Sequence, residues 1–132
     1  MTFAAMASRV LLGLAFTAAG VSGFIFINHP PPAPPGLAGT FQDVFFRSRW
    51  VLFVDVIEAL AGTLLLANRF VPLALTLLAG VIFNILAYHL TLMPAGLPAG
   101  AVVTVLWAIV ASQFRSSFAP LLAPTADGAR VR

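Results

Sequence analysis

Residues 50–92 read WVLFVDVIEALAGTLLLANRFVPLALTLLAGVIFNILAYHLTL. Two apolar runs, 50–67 and 70–92, flank the dipeptide Asn68-Arg69. Each run is close to the roughly 20 residues a helix needs to cross hydrocarbon. The apolar positions are continuous and do not alternate, so transmembrane β-strands are excluded. Inside a bilayer every backbone polar group must find its partner within the segment, which favours helices. Asn68-Arg69 then reads as a tight turn between antiparallel helices. Pro72 falls in the first turn of the second helix, where its missing N–H costs little.

Two further apolar runs, 10–27 and 97–114, give four predicted spans. The first follows Arg9 and contains the small residues Ala18, Ala19 and Gly20, as a cleaved leader would. Its apolar length of about 18 residues exceeds the hydrophobic core of such leaders, so it reads as a retained helix. The small residues Gly13, Gly20 and Gly23 indicate close packing against a neighbouring helix. Composition agrees with a membrane protein. The 132-residue chain is 61% hydrophobic and 8% charged, against about a quarter charged in soluble domains. The expected fold is therefore all-α: one integral membrane domain over 1–132, built as a four-helix bundle.

The links differ in kind. Residues 30–36 read PPPAPPG, which favours extended polyproline geometry and cannot be helix. After it, Phe41, Val44, Phe45 and Phe46 interleave with Gln42, Asp43 and Arg47, as in a short amphipathic segment at a membrane interface. Thr40 or Asp43 is the expected cap of that segment. The third link, Met93-Pro-Ala-Gly-Leu-Pro98, is an uncharged turn. After Arg115 the tail, with Pro120, Pro124, Asp127 and Gly128, reads as frayed.

The net charge is +3, and all seven basic residues are arginine. Arg9, Arg69, Arg115, Arg130 and Arg132 fall on one side of a four-span topology, and Arg47 and Arg49 on the other. The positive-inside rule then places both termini in the cytoplasm. No basic run interleaves with aromatics, so nucleic acid is not an expected partner. The chain has no cysteine, which excludes disulfides, thiol redox chemistry and thiolate-bound metal. No phosphate loop, nucleophile elbow or zinc pattern occurs, and no catalytic residue is assigned.

Polar residues within the spans are expensive and need a reason. The second span carries Asp55 and Glu58, and the third carries Asn84, Tyr88 and His89. From a 1.5 Å rise per residue, Asp55 lies roughly 9 Å and Glu58 roughly 13 Å below Arg49. His89 lies about 5 Å and Asn84 about 12 Å below Leu92, at the same membrane face. Asp55 and Glu58 are three apart, hence on one helix face, as are Asn84 and Tyr88 at four apart. A polar pocket open to the outer surface follows, with Arg47 and Arg49 above it as charge partners for Asp55 and the Phe41–Phe46 segment as its cover.

Several roles fit these residues. Two carboxyls three residues apart in lipid do not readily both ionise. That suits proton exchange with a lipid-soluble redox partner such as a quinone, with His89 donating to a quinone carbonyl. Alternatively Asp55 pairs with Arg47 or Arg49, and Glu58 with Asn84 only fixes helix packing. His89 is the one histidine on a span, so two-histidine haem ligation is not expected. Asp55-x-x-Glu58 lacks the second Glu-x-x-His half of a di-iron bundle, and no metal is assigned.

Residues 58–75, EALAGTLLLANRFVPLAL, followed by Asn84-Ile85 and His89, resemble the DoxX-like family of four-helix bacterial membrane proteins. Arg9 and the glycines after it fit as well. The resemblance covers about residues 9–124 and is most specific over 64–89. It implies a bacterial inner-membrane bundle acting as a membrane subunit or accessory protein of a quinone-linked redox system, as in thiosulfate:quinone oxidoreductase. Glu58, Asn84 and His89 are the residues it singles out. The rival expectation is a structural subunit that packs against other subunits of a larger respiratory or photosynthetic complex and has no chemistry of its own.

Overall fold

A computed structural model describes residues 1–124. Those residues are helical, with no strand among them. Six α-helices follow one another: α1 (Phe3–Phe26), α2 (Leu37–Arg47), α3 (Trp50–Leu66), α4 (Val71–Thr91), α5 (Leu97–Ala111) and the short α6 (Arg115–Phe118). Three helical stretches are long and apolar enough to cross a membrane: Phe3–Phe26, Val71–Thr91 and Pro94–Leu122. α3, read from sequence as the second span, has 17 residues and is about 25 Å long.

The helix starts and stops have local causes. α1 begins at Phe3, before the apolar run from Val10, because Thr2 caps it and its hydroxyl accepts from the Ala5 N–H at 3.2 Å. α2 is entered through Gly36, whose φ of 71° favours glycine. Neither Thr40 nor Asp43 caps it, contrary to expectation; both lie inside the helix, which starts four residues earlier than Phe41. Between α3 and α4, Asn68 takes φ 53° and Phe70 φ 51°. The Arg69 N–H reaches Leu64 O at 3.0 Å and the Asn68 N–H reaches Leu65 O at 3.2 Å. This is the left-handed helix ending in which asparagine can replace glycine. The stretch after Arg115 is not frayed as expected: α6 and a 3-10 turn over Ala119–Leu122 carry the helical path onward. Asp127, Gly128, Arg130 and Arg132 lie outside the described residues.

α1 packs on α3 and α5, and α4 packs on the same two helices. The most extensive of these interfaces is α1 with α3, although the sequence places α3 beside α4. Glycines make that interface possible. A Cβ on Gly20 would overlap the α3 backbone at Asp55 and Ala59, and one on Gly62 would overlap the α1 backbone at Thr17. Such close approach between helices needs residues without side chains at the crossing.

The two ends of the molecule are built differently. The apolar core gathers Leu12 and Phe16 of α1, Leu65 of α3, Leu75 and Leu78 of α4, and Val110 of α5. It lies toward the end where α1 begins and α3 stops. At that end Arg9 is buried (8% exposed), and its Nη1 donates to Leu65 O and, at 3.4 Å, to Leu66 O. A cation here satisfies carbonyls that the helix leaves open and complements the negative end of its dipole. Arg9→Leu is expected to lower stability by about 1–3 kcal/mol, since the buried bond to the Leu65 carbonyl and the partly buried one to Leu66 are lost. Thermal unfolding in detergent micelles would show it; an unchanged midpoint would remove Arg9 from this role. Trp107 of α5 is half-buried and donates from Nε1 to Leu75 O at 2.9 Å, tying α5 to α4. The indole thus links two helices.

Candidate functional site

The opposite end, where α1 stops and α3 begins, is hollow. A cavity of about 690 Å³ lies there, walled by α1, α3 and α4 and covered by α2. Its size falls in the range of sites for drug-sized ligands. Asp55, Glu58, Asn84, Tyr88 and His89 all line it. Most of its wall is hydrocarbon, and α2 contributes Phe41, Phe45 and Phe46 to the cover. Phe41 stacks on Phe45 with ring centroids 5.6 Å apart and meets the Tyr88 ring at 5.3 Å, so α2 touches α4 through aromatic rings. A smaller cavity of about 200 Å³ toward α5 also has Glu58 and His89 in its wall. The two side chains therefore border both spaces.

Among the described residues the carboxyls stand without counter-ions. Asp55 is 5% exposed and Glu58 8% exposed. Asp55 Oδ2 is buried with no hydrogen-bond partner. The arginines expected above Asp55 go elsewhere. Arg47 pairs with Asp43 at 3.3 Å on the exposed face of α2. Arg49 Nη2 donates to Asn28 Oδ1 at 3.4 Å. Both follow from local geometry: Asp43 and Arg47 are four apart on one helix, and Arg49 is the left-handed residue between α2 and α3 (φ 64°). Gly23 of α1 makes the room for Asp55, since a Cβ there would overlap its carboxylate.

The expected Glu58–Asn84 bond is absent among the described residues. Asn84 Nδ2 instead donates to Gly80 O at 2.9 Å, one turn back in its own helix. His89 Nδ1 lies 3.0 Å from Met93 O. A carbonyl only accepts, so Nδ1 is the donor of this bond; in a neutral imidazole that leaves Nε2 as an acceptor. His89 Nε2 is left free of protein partners among the described residues, available to a ligand. Gly96 in the α4–α5 turn abuts the imidazole, since a Cβ there would overlap it, and Tyr88 meets it edge-on with centroids 5.1 Å apart. The ring is held in place from two sides.

Three features of this end were not anticipated from sequence: the Gly23 notch for Asp55, the Gly96 contact on His89, and the α1 wall formed by Ala19 and Ser22. The small-residue pattern of α1 signals close packing but does not say against what. Among the described residues no group of three or more histidines, cysteines or acids is placed to hold a metal. No family model matches the chain, and neither a curated protein nor a solved structure does.

Proposed function

We propose that this chain is a four-span membrane protein, α1, α3, α4 and α5 crossing a bacterial inner membrane, whose cavity receives a quinone-type ring. It then serves as a membrane subunit or accessory protein of a quinone-linked redox system, in line with its resemblance to the DoxX-like family. Arg9, Arg69 and Arg115 lie toward the cytoplasm in this arrangement, and the cavity opens near the outer surface. One observation carries the reading: a single, mostly hydrocarbon cavity gathers two buried carboxyls and an imidazole under an aromatic cover. Hydrocarbon walls suit a lipid-soluble ring, and groups able to take or return protons suit a ligand whose redox change moves protons.

The structural-subunit reading requires these polar groups to hold helices together. Among the described residues Asp55 Oδ2 has no partner, and Asn84 bonds within its own helix, which favours a ligand role. The test uses tryptophan fluorescence, since Trp50 lines the cavity and the only other indole is Trp107. A short-chain quinone should quench Trp50 saturably, and Glu58→Gln should weaken binding at least about ten-fold through loss of a charged or proton-exchanging partner. Affinity unchanged by Glu58→Gln, with fold intact by circular dichroism, would sink the proposal.

A further inference from the structure

The hydrogen-bonding groups around the large cavity are unevenly engaged. Four of its donors are held by the protein's own carbonyls. Asn84 Nδ2 donates to Gly80 O, Gln42 Nε2 to Pro31 O at 2.7 Å, and the Ser22 hydroxyl to Ala19 O at 2.7 Å. The His89 Nδ1–H faces Met93 O. The acceptors are open. Asp55 Oδ2 has no partner, and among the described residues nothing donates to Glu58, to Asn84 Oδ1 or to Gln42 Oε1. In the neutral ring His89 Nε2 is the accepting nitrogen, since Nδ1 faces Met93 O. A carboxyl keeps an accepting oxygen whether or not it is protonated. The donors left to a ligand are the Tyr88 hydroxyl, the Trp50 indole, the second N–H of each amide and the O–H of a carboxyl when it is protonated.

A wall weighted toward acceptors calls for a ligand that brings donors. The ring oxygens of a quinone only accept, whereas the two hydroxyls of the corresponding quinol donate as well. Resting on the quinone-type reading of the cavity, we propose that the site holds the reduced, dihydroxy ring in preference to the oxidised one. One quinol hydroxyl bonds to Asp55 or Glu58 and the other to His89 Nε2. The oxidised ring places carbonyl oxygens against buried acceptors, and leaving such groups unpaired is costly. The protein is then a quinol-holding site, supplied by whichever reaction reduces quinone in the same bilayer.

The full chain in detergent micelles, kept anaerobic, is titrated with a short-chain benzoquinol, the matching quinone and the quinol's dimethyl ether, reading Trp50 fluorescence. The quinol should bind at least about ten-fold tighter than either of the others. Equal affinity for quinol and quinone, or tighter quinone, overturns the inference and leaves the quinone-type reading standing. Binding of none of the three overturns both. Asp55→Asn keeps the side-chain size and supplies a donor, so in that variant the preference should narrow by several-fold. An unchanged preference in a folded Asp55→Asn protein removes Asp55 from the discrimination and overturns the assignment of acceptors made here.

Discussion

Gly20→Val is expected to lower stability by about 3 kcal/mol or more, the upper end of what overpacking costs. The new side chain would meet the α3 backbone at the Asp55 carbonyl and the Ala59 N–H, and backbone cannot swing aside as a flexible side chain can. Relief requires α1 and α3 to separate, and theirs is the largest helix interface in the molecule. Gly62→Val should behave alike, because it meets the α1 backbone at Thr17. Gly80 is the control. It lies within α4, and nothing stands within 4 Å of a Cβ there. Gly80→Ala should raise stability by roughly 0.5–1 kcal/mol through helix propensity alone. Thermal unfolding in a single detergent reads all three. If Gly20→Val melts with the parent protein, the close α1–α3 approach is wrong.

Asp55→Ala should make the ligand-free protein more stable, by about 1–3 kcal/mol, while abolishing ligand binding. The reason is the lone Oδ2: a buried polar atom with no partner carries an uncompensated desolvation cost, and removing it removes that cost. Gly23 already provides the space, so the smaller side chain strains nothing. A residue kept for packing behaves in the opposite way, since deleting it loses bonds. The sign of the shift in melting temperature therefore separates a ligand-binding Asp55 from a structural one. A melting temperature below that of the parent protein would place Asp55 among the groups that hold the fold.

Much of this architecture was legible along the chain. Hydropathy and length placed the apolar helices, because in lipid the helix is the way a single segment satisfies its own backbone. Pro72 and Asn68-Arg69 located the α3–α4 turn through properties of single residues: a ring that fits the first helical turn, and an amide side chain that tolerates the left-handed region. Rise per residue put Asp55, Glu58, Asn84 and His89 in one half of the membrane, since distance along a straight helix is linear in sequence, and helical spacing added Tyr88. Their presence in one cavity wall follows from α3 and α4 running antiparallel from a short turn.

Partner choice was not legible. Which helix α3 packs against most closely depends on where glycines on two helices come into register, and Gly13, Gly20, Gly23 and Gly62 carry no label of their mates. Nor could sequence proximity assign the arginines. Arg47 and Arg49 stand near Asp55 in the chain, yet a helical neighbour (Asp43) and a left-handed turn direct them away. Arg9, read only as a charge at the start of a span, is the buried donor to the last carbonyls of α3. His89 is a similar case: Met93 O, across the end of its own helix, engages its Nδ1 and leaves Nε2 to the cavity. Composition and periodicity determine what each segment must be in a bilayer, because those demands are met residue by residue. Only the tertiary structure decided which groups found partners and which were left open, because that depends on the relative placement of whole helices.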